Sequence, residues 1–175
     1  MINIRSITRD DLKAYAHWCQ PMHAYHSFNE PYYPKRSEEE VLDYIYEILQ
    51  RLEAGEEGLP KRKMIVDPND NMIGEVSYKW RSIETNWMEI GIVIFDESYW
   101  GRGLGTAALK LWISELFKTK DITRIRFSTW SGNAGMIKLA AKLGMRQEAC
   151  YQNARIVNGE YYNSVSYGLL REDWV

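Results

Sequence analysis

The chain has 175 residues, 45% of them hydrophobic and 26% charged, which suits one domain over residues 1–175 with roughly two-thirds of its unfolded surface buried on folding. A formal net charge of −2 lacks the basic excess of nucleic-acid binders. No apolar stretch approaches the ~20 residues that span a bilayer, and the start at Met1–Arg5 lacks the long apolar centre of a signal peptide. Cys19 and Cys150 give neither a disulfide framework nor metal-ligand spacing. The expectation is a cytoplasmic protein without a metal, a membrane or a nucleic-acid partner.

In chain order, Ile2 to Ser6 reads as a short strand, and Thr8 with Asp11 resembles a capped start to a helix carrying Leu12, Tyr15, Ala16 and Cys19. Pro21 to Arg36 is an irregular stretch holding His23, His26, Phe28, Tyr32 and Tyr33, of a length usually kept for function. Surface or acceptor-site histidines fit His17, His23 and His26 better than a metal site. Ser37 with Glu40 forms a capping box before an amphipathic helix (Val41, Leu42, Ile45, Ile48, Leu49, Leu52) that ends near Gly55.

Strands are expected at Lys63–Val66, Met72–Trp80 and Met88–Phe95, the first two joined by the turn Asp67-Pro68-Asn69-Asp70-Asn71. Lys61-Arg62-Lys63, the one dense basic run, reads as a solvated strand entrance. A helix over Leu104–Lys118 shows a narrow polar stripe of Thr106, Lys110, Ser114 and Lys118. Ile122–Thr129 is strand-like; Asn133 caps a helix that Gly144 ends; strands at Arg146–Val157 and Glu160–Leu170 meet at Asn158-Gly159. The order β-α-α-β-β-β-α-β-α-β-β implies one mixed α/β sheet.

Between the third strand of the meander and its helix lies Tyr99-Trp100-Gly101-Arg102-Gly103-Leu104-Gly105-Thr106. Alternate glycines allow close backbone approach, and a helix start offers unpaired N–H groups and a positive dipole end to a phosphate. A plain glycine-rich turn is the competing reading. A P-loop is rejected because no lysine stands at its required place. Gly103 to Ala108 fits a dinucleotide pattern, yet Ile125 and Arg126 stand where the ribose-binding acid is expected.

Glu89-Ile90-Gly91-Ile92-Val93-Ile94-Phe95 followed by Trp100-Gly101-Arg102-Gly103-Leu104-Gly105-Thr106 closely resembles the GNAT superfamily of acyl-CoA-dependent N-acetyltransferases. Asn133-Ala134-Gly135-Met136-Ile137 and Lys142-Leu143-Gly144-Met145-Arg146 look like its second conserved segment. The Tyr-Trp-Gly-Arg-Gly loop and the Asn158-Gly159 hairpin look most like the RimJ/RimL-type branch, which acetylates protein N-termini. The resemblance implies a GNAT-type fold: a single mixed, mostly antiparallel sheet of about seven strands with helices on both faces. It also implies acetyl-CoA as cosubstrate and an amine as acceptor, a protein or peptide N-terminus being favoured over a polyamine, amino acid or aminoglycoside. Family members are often dimers, so a homodimer is carried as an expectation. Two departures stand out: Trp100 replaces the first side chain of the usual loop pattern, and Ala140 replaces a tyrosine general acid. The second departure keeps a non-catalytic acyl-CoA-binding module open.

By the same resemblance Glu89 is the expected general base, fourteen residues before Gly103, with a structural glutamate that pairs with an arginine or caps neighbouring backbone as the alternative. Ile92, Val93 and Ile94 are expected to offer backbone groups to the pantetheine arm, although their side chains equally fit a core strand. Trp100, Gly101, Arg102, Gly103, Leu104, Gly105 and Thr106 are expected to hold the pyrophosphate. Asn133 is expected to contact pantetheine or amine, with a simple helix cap as the alternative; Lys142 is expected at the adenosine phosphates, or merely solvated. The loop Pro21–Arg36 and the hairpin Tyr151–Tyr162 are the expected acceptor walls, with Tyr32, Tyr33 and His26 as possible amine-orienting or acid groups.

Overall fold

Period-two patterning in the strands sends alternate residues to opposite faces, and each face finds a different pair of helices. The computed structural model describes residues 1–175. Its elements are β1 (Asn3–Arg5), α1 (Leu12–Cys19), α2 (Glu38–Glu53), β2 (Arg62–Val66), β3 (Met72–Ser82), β4 (Trp87–Ile94), α3 (Leu104–Thr119), β5 (Arg124–Trp130), α4 (Ala134–Lys142), β6 (Arg146–Val157) and β7 (Glu160–Leu170). Every strand and helix expected from the sequence is present. The differences are short 3-10 turns, among them Ala24–Ser27 inside the irregular stretch, and Ile122, a fully buried core residue that precedes β5.

The seven strands form one sheet in the order β1-β2-β3-β4-β5-β7-β6, antiparallel except for β4 beside β5. On one face Ile65, Val76, Met88, Ile90, Ile125 and Phe127 pack against Leu109, Trp112, Ile113 and Leu116 of α3 and Leu139 of α4. On the other, Met64, Val66 and Phe95 meet Leu12 and Tyr15 of α1 and Ile48 of α2. Leu42 departs from the expected apolar face of α2; it is 62% exposed.

Local chemistry explains the boundaries. The capping box at α2 is formed, with Ser37 N donating to Glu40 Oε2 at 2.7 Å and Glu40 N to Ser37 Oγ at 3.2 Å. Asp67 Oδ1 accepts from the backbone N–H of Asn69 and Asn71, closing the β2–β3 turn. Asn158 and Gly159 both take positive φ (51° and 80°), as the tight β6–β7 hairpin requires.

Candidate active site

The parallel contact between β4 and β5 is short. It joins Trp87 to Arg124, Met88 to Ile125 and Glu89 to Arg126, and then stops. Beyond Glu89 the strands diverge, although β4 continues to Ile94 and β5 to Trp130. Backbone groups of Ile90 to Ile94 on that side therefore lack a strand partner, and an unpaired strand edge accepts an extended amide-bearing chain. A cleft of about 900 Å³ opens at this splay.

One end of the cleft is bounded by the loop before α3 and by the start of α4. Gly101 and Gly103 hold φ of +74° and +77°, values that side-chain-bearing residues adopt only at a cost. This kinks the chain so that the N-terminus of α3 faces the opening. The indole Nε1 of Trp100 donates to the Ile94 carbonyl at 3.0 Å, tying the glycine loop to the end of β4. Lys138 and Lys142, one turn apart on α4, border the same end, are exposed and make no ion pair. Sequence reading missed Lys138, which the i, i+4 spacing with Lys142 could have revealed.

At the other end the sheet itself forms a polar floor. Register places Arg62 opposite Ser77, and Ser77 opposite Gly91; at the next pair on the same face, two residues along, Lys79 lies opposite Glu89, which faces Arg126 on β5. A side chain at Gly91 would meet Ser77 Oγ at 2.8 Å, so this part of the floor stays bare. Glu89 accepts from Lys79 Nζ at 2.8 Å and from Arg126 Nε and Nη2 at 2.7 Å each, with its side chain 13% exposed. Burial pulls its pKa up, but the hydrogen bonds and charges of Lys79 and Arg126 outweigh that and hold it below the usual carboxylate range.

A second carboxylate, Glu75, is buried in the wall. It accepts from Tyr15 Oη at 2.6 Å and pairs with Arg62. Burial, then the Glu75 charge, pushes the nearby Cys19 thiol up to about 11, which leaves it protonated. Arg62 thus departs from the expected solvated strand entrance, because a buried acid holds it. Residues 15, 62 and 75 are far apart in sequence, and no local pattern links them.

Of the residues singled out from sequence, Glu89, Ile92, Val93, Ile94, Trp100, Gly101, Gly103, Leu104, Gly105, Thr106, Asn133 and Lys142 all border the cleft. The Arg102 side chain does not; its guanidinium lies over the Tyr99 ring at 5.6 Å. Asn133 caps α4, its Oδ1 accepting from Met136 N at 3.2 Å, while Nδ2 reaches the Phe28 carbonyl at 3.4 Å. The loop before α2 supplies Tyr25, Phe28, Asn29, Glu30 and Tyr32 to the cleft. Trp130 Nε1 anchors it by donating to the Phe28 carbonyl at 2.9 Å. His26 instead contacts the Gln20 carbonyl through Nε2, and Tyr33 lies outside. The expected hairpin wall is corrected as well. No residue of 151–162 borders the cleft, because β6 is the sheet edge beyond β7. The hairpin braces the loop from outside, with Arg155 over the Tyr32 ring at 4.5 Å.

Residues 2–146 match the acetyltransferase (GNAT) domain family. The chain belongs to the GNAT family. It is 26% identical over 151 residues to the uncharacterized N-acetyltransferase YnaD of Bacillus subtilis, covering 81% of this chain and 87% of the relative. Among solved structures, the spermidine N-acetyltransferase of Vibrio cholerae in complex with CoA and spermine has a TM-score of 0.77 at 19% identity, covering 98% and 96% of the two chains. The ribosomal-protein-S5-alanine acetyltransferase of Vibrio fischeri has a TM-score of 0.72 at 22% identity, covering 99% and 95%. The GNAT sheet and helices are therefore present, and the protein is an acetyl-CoA-dependent N-acetyltransferase. The residues fit that cosubstrate: left-handed glycines and an open helix start suit a pyrophosphate, and free strand-edge amides suit the pantetheine arm. No helix is long and apolar enough to cross a membrane.

Proposed function

We propose that this acetyltransferase, in the manner of the RimJ/RimL-type branch, modifies the α-amine of a protein or peptide N-terminus in the cytoplasm. The carrying observation is that both carboxylates in the sheet of the cleft, buried Glu75 and partly buried Glu89, are already spent on cations. A polyamine, with several ammonium groups, needs carboxylates that are free. A base held below the usual carboxylate range also favours an acceptor that arrives neutral. Near pH 7.4 about a quarter of α-amines are unprotonated, against about 0.1% of lysine-like amines, from pKa values of about 7.9 and 10.4. Glu30, exposed on the facing loop without an ion pair, is the feature that favours a polyamine instead.

Acetyl-CoA supplies an acetyl thioester. Backbone N–H groups of Ile92 to Ile94 bind the arm and polarise the carbonyl, and the segment from Trp100 to Thr106, with Lys142 and Lys138, holds the phosphates. The neutral amine attacks the carbonyl carbon, the C–N bond forms, and Glu89 receives the nitrogen's proton directly or through water. The C–S bond then breaks. A thiol pKa of about 8.5 makes the thiolate a competent leaving group, which fits the absence of a hydroxyl at Ala140, a fully buried core residue.

The test is an acceptor screen reading free thiol, with peptides beginning in Ser or Ala beside spermidine and kanamycin. Peptide turnover should dominate, with kcat/KM rising through a midpoint near pH 8 to a plateau at about pH 9. A preference for spermidine of tenfold or more overturns the reading.

A further inference from the structure

Arg62 is spent on one side only. Its Nη1 is bonded to Glu75, while Nε and Nη2 make no hydrogen bond to the protein. The side chain is 37% exposed and borders the cleft. Behind it the support is rigid: Glu75 is 7% exposed and Tyr15 is 2% exposed, and they bond to each other at 2.6 Å. A guanidinium fixed from behind with its fork open is pre-organised for a second carboxylate, which it binds with two parallel N–H groups. Lys61, exposed at the same wall and without an ion pair, adds positive charge.

We propose that Arg62 is a specificity-determining residue that grips a carboxylate of the acceptor. The preferred peptide therefore carries Asp or Glu directly after its N-terminal residue. The spacing supports this. Arg62, Ser77 and Gly91 lie side by side on three adjacent strands, so Arg62 and Gly91 are separated by two strand spacings, about 10 Å. An amine lodged beside Gly91 and Glu89 leaves an extended chain that spans ~3.3–3.6 Å per residue. A side-chain carboxylate on the second residue then reaches the guanidinium. The inference rests on the N-terminal acceptor reading above.

The experiment compares otherwise identical peptides beginning Ser-Glu, Ser-Gln and Ser-Lys, with wild type and Arg62→Lys. Wild type should favour Ser-Glu over Ser-Gln by about tenfold in kcat/KM, carried by KM, as expected for hydrogen bonds to a charged group. Arg62→Lys keeps a cation for Glu75 but loses the fork, so the preference should collapse while acetyl-CoA affinity stays unchanged. A purely structural Arg62 would lower all three rates together and leave the ratio intact, which overturns the proposal. On wild type alone, the N-acetylated Ser-Glu peptide should compete with acceptor about tenfold better than its Ser-Gln counterpart. Equal turnover of Ser-Glu and Ser-Gln overturns the Arg62 assignment while sparing the N-terminal reading. Turnover of spermidine with all peptides inert overturns both.

Discussion

The two ends of the cleft are made of different material. The end proposed for the cosubstrate is mostly main chain: a splayed strand edge, two left-handed glycines and a helix start, tied together by the Trp100–Ile94 hydrogen bond. The end proposed for the acceptor is side chain: Arg62–Glu75–Tyr15 on one wall and Lys79–Glu89–Arg126 on the floor. Main-chain recognition suits a ligand that is the same for every turnover, because it depends on backbone shape. Ion pairs suit a variable acceptor, because exchanging one partner changes the charge on offer without moving a strand. Substitutions should therefore separate cleanly into those that alter cosubstrate affinity and those that alter acceptor turnover.

The largest effect is expected at Glu89. Glu89→Gln should lower kcat by about 10²–10⁴ and leave acetyl-CoA affinity unchanged in calorimetry; equal loss of both would erase the division. pH sharpens the same point. Because the folded pKa of Glu89 is depressed by Lys79 and Arg126, it is ionised throughout the neutral range, so the rise of kcat/KM through pH 8 belongs to the proposed α-amine. The sign for stability follows from linkage. The Glu89 ion pairs stabilise the fold above its unfolded pKa of about 4.3, and that contribution disappears as pH falls through the lower folded value. Glu89→Gln should accordingly flatten the acid limb of the unfolding curve in this range.

The opposite phenotype is expected from Gly103→Ala. Nothing lies within 4 Å of an added Cβ there, but φ is +77°, so the cost is conformational, about 1–2 kcal/mol. Part of it should appear as an acetyl-CoA Kd weakened up to about tenfold, with KM for the acceptor unmoved. A change confined to acceptor KM would place the loop at the wrong end of the cleft.

The same contrast explains what could be read from the chain. Element order, caps and turns follow from neighbouring residues: Ser37 with Glu40, Asp67 with Asn71, Asn158 with Gly159. The glycine loop belongs to that local class; Glu89, Asn133 and Lys142, singled out by the family resemblance, border the same cleft, whereas the Arg102 side chain turns away over Tyr99. The wall around Arg62 was not legible. Arg62 sits in a run of three basic residues that looks like ordinary solvated surface, and only folding brings Glu75 and Tyr15, 13 and 47 residues away in sequence, against it. The hairpin at residues 151–162 failed for a related reason: its strands were evident, but the sheet order that puts β6 on the outer edge is a tertiary choice.

Asn133 is the residue where the two ends touch, and the effect of changing it should be the smallest. In Asn133→Ala, α4 loses its cap to Met136 N and the loop loses a 3.4 Å contact at the Phe28 carbonyl. The cap is worth about 1 kcal/mol, a fall of about 2–4 °C in Tm for a chain of this size. Trp130 still holds Phe28 at 2.9 Å, so the loop should keep its place and acceptor KM should change little. The decisive readout is acetyl-CoA affinity. If it is preserved while Tm falls, Asn133 acts as the helix cap seen here. A Kd weakened tenfold or more at the same Tm loss would make it a direct contact to the pantetheine arm, and the boundary between the two ends would move to include α4.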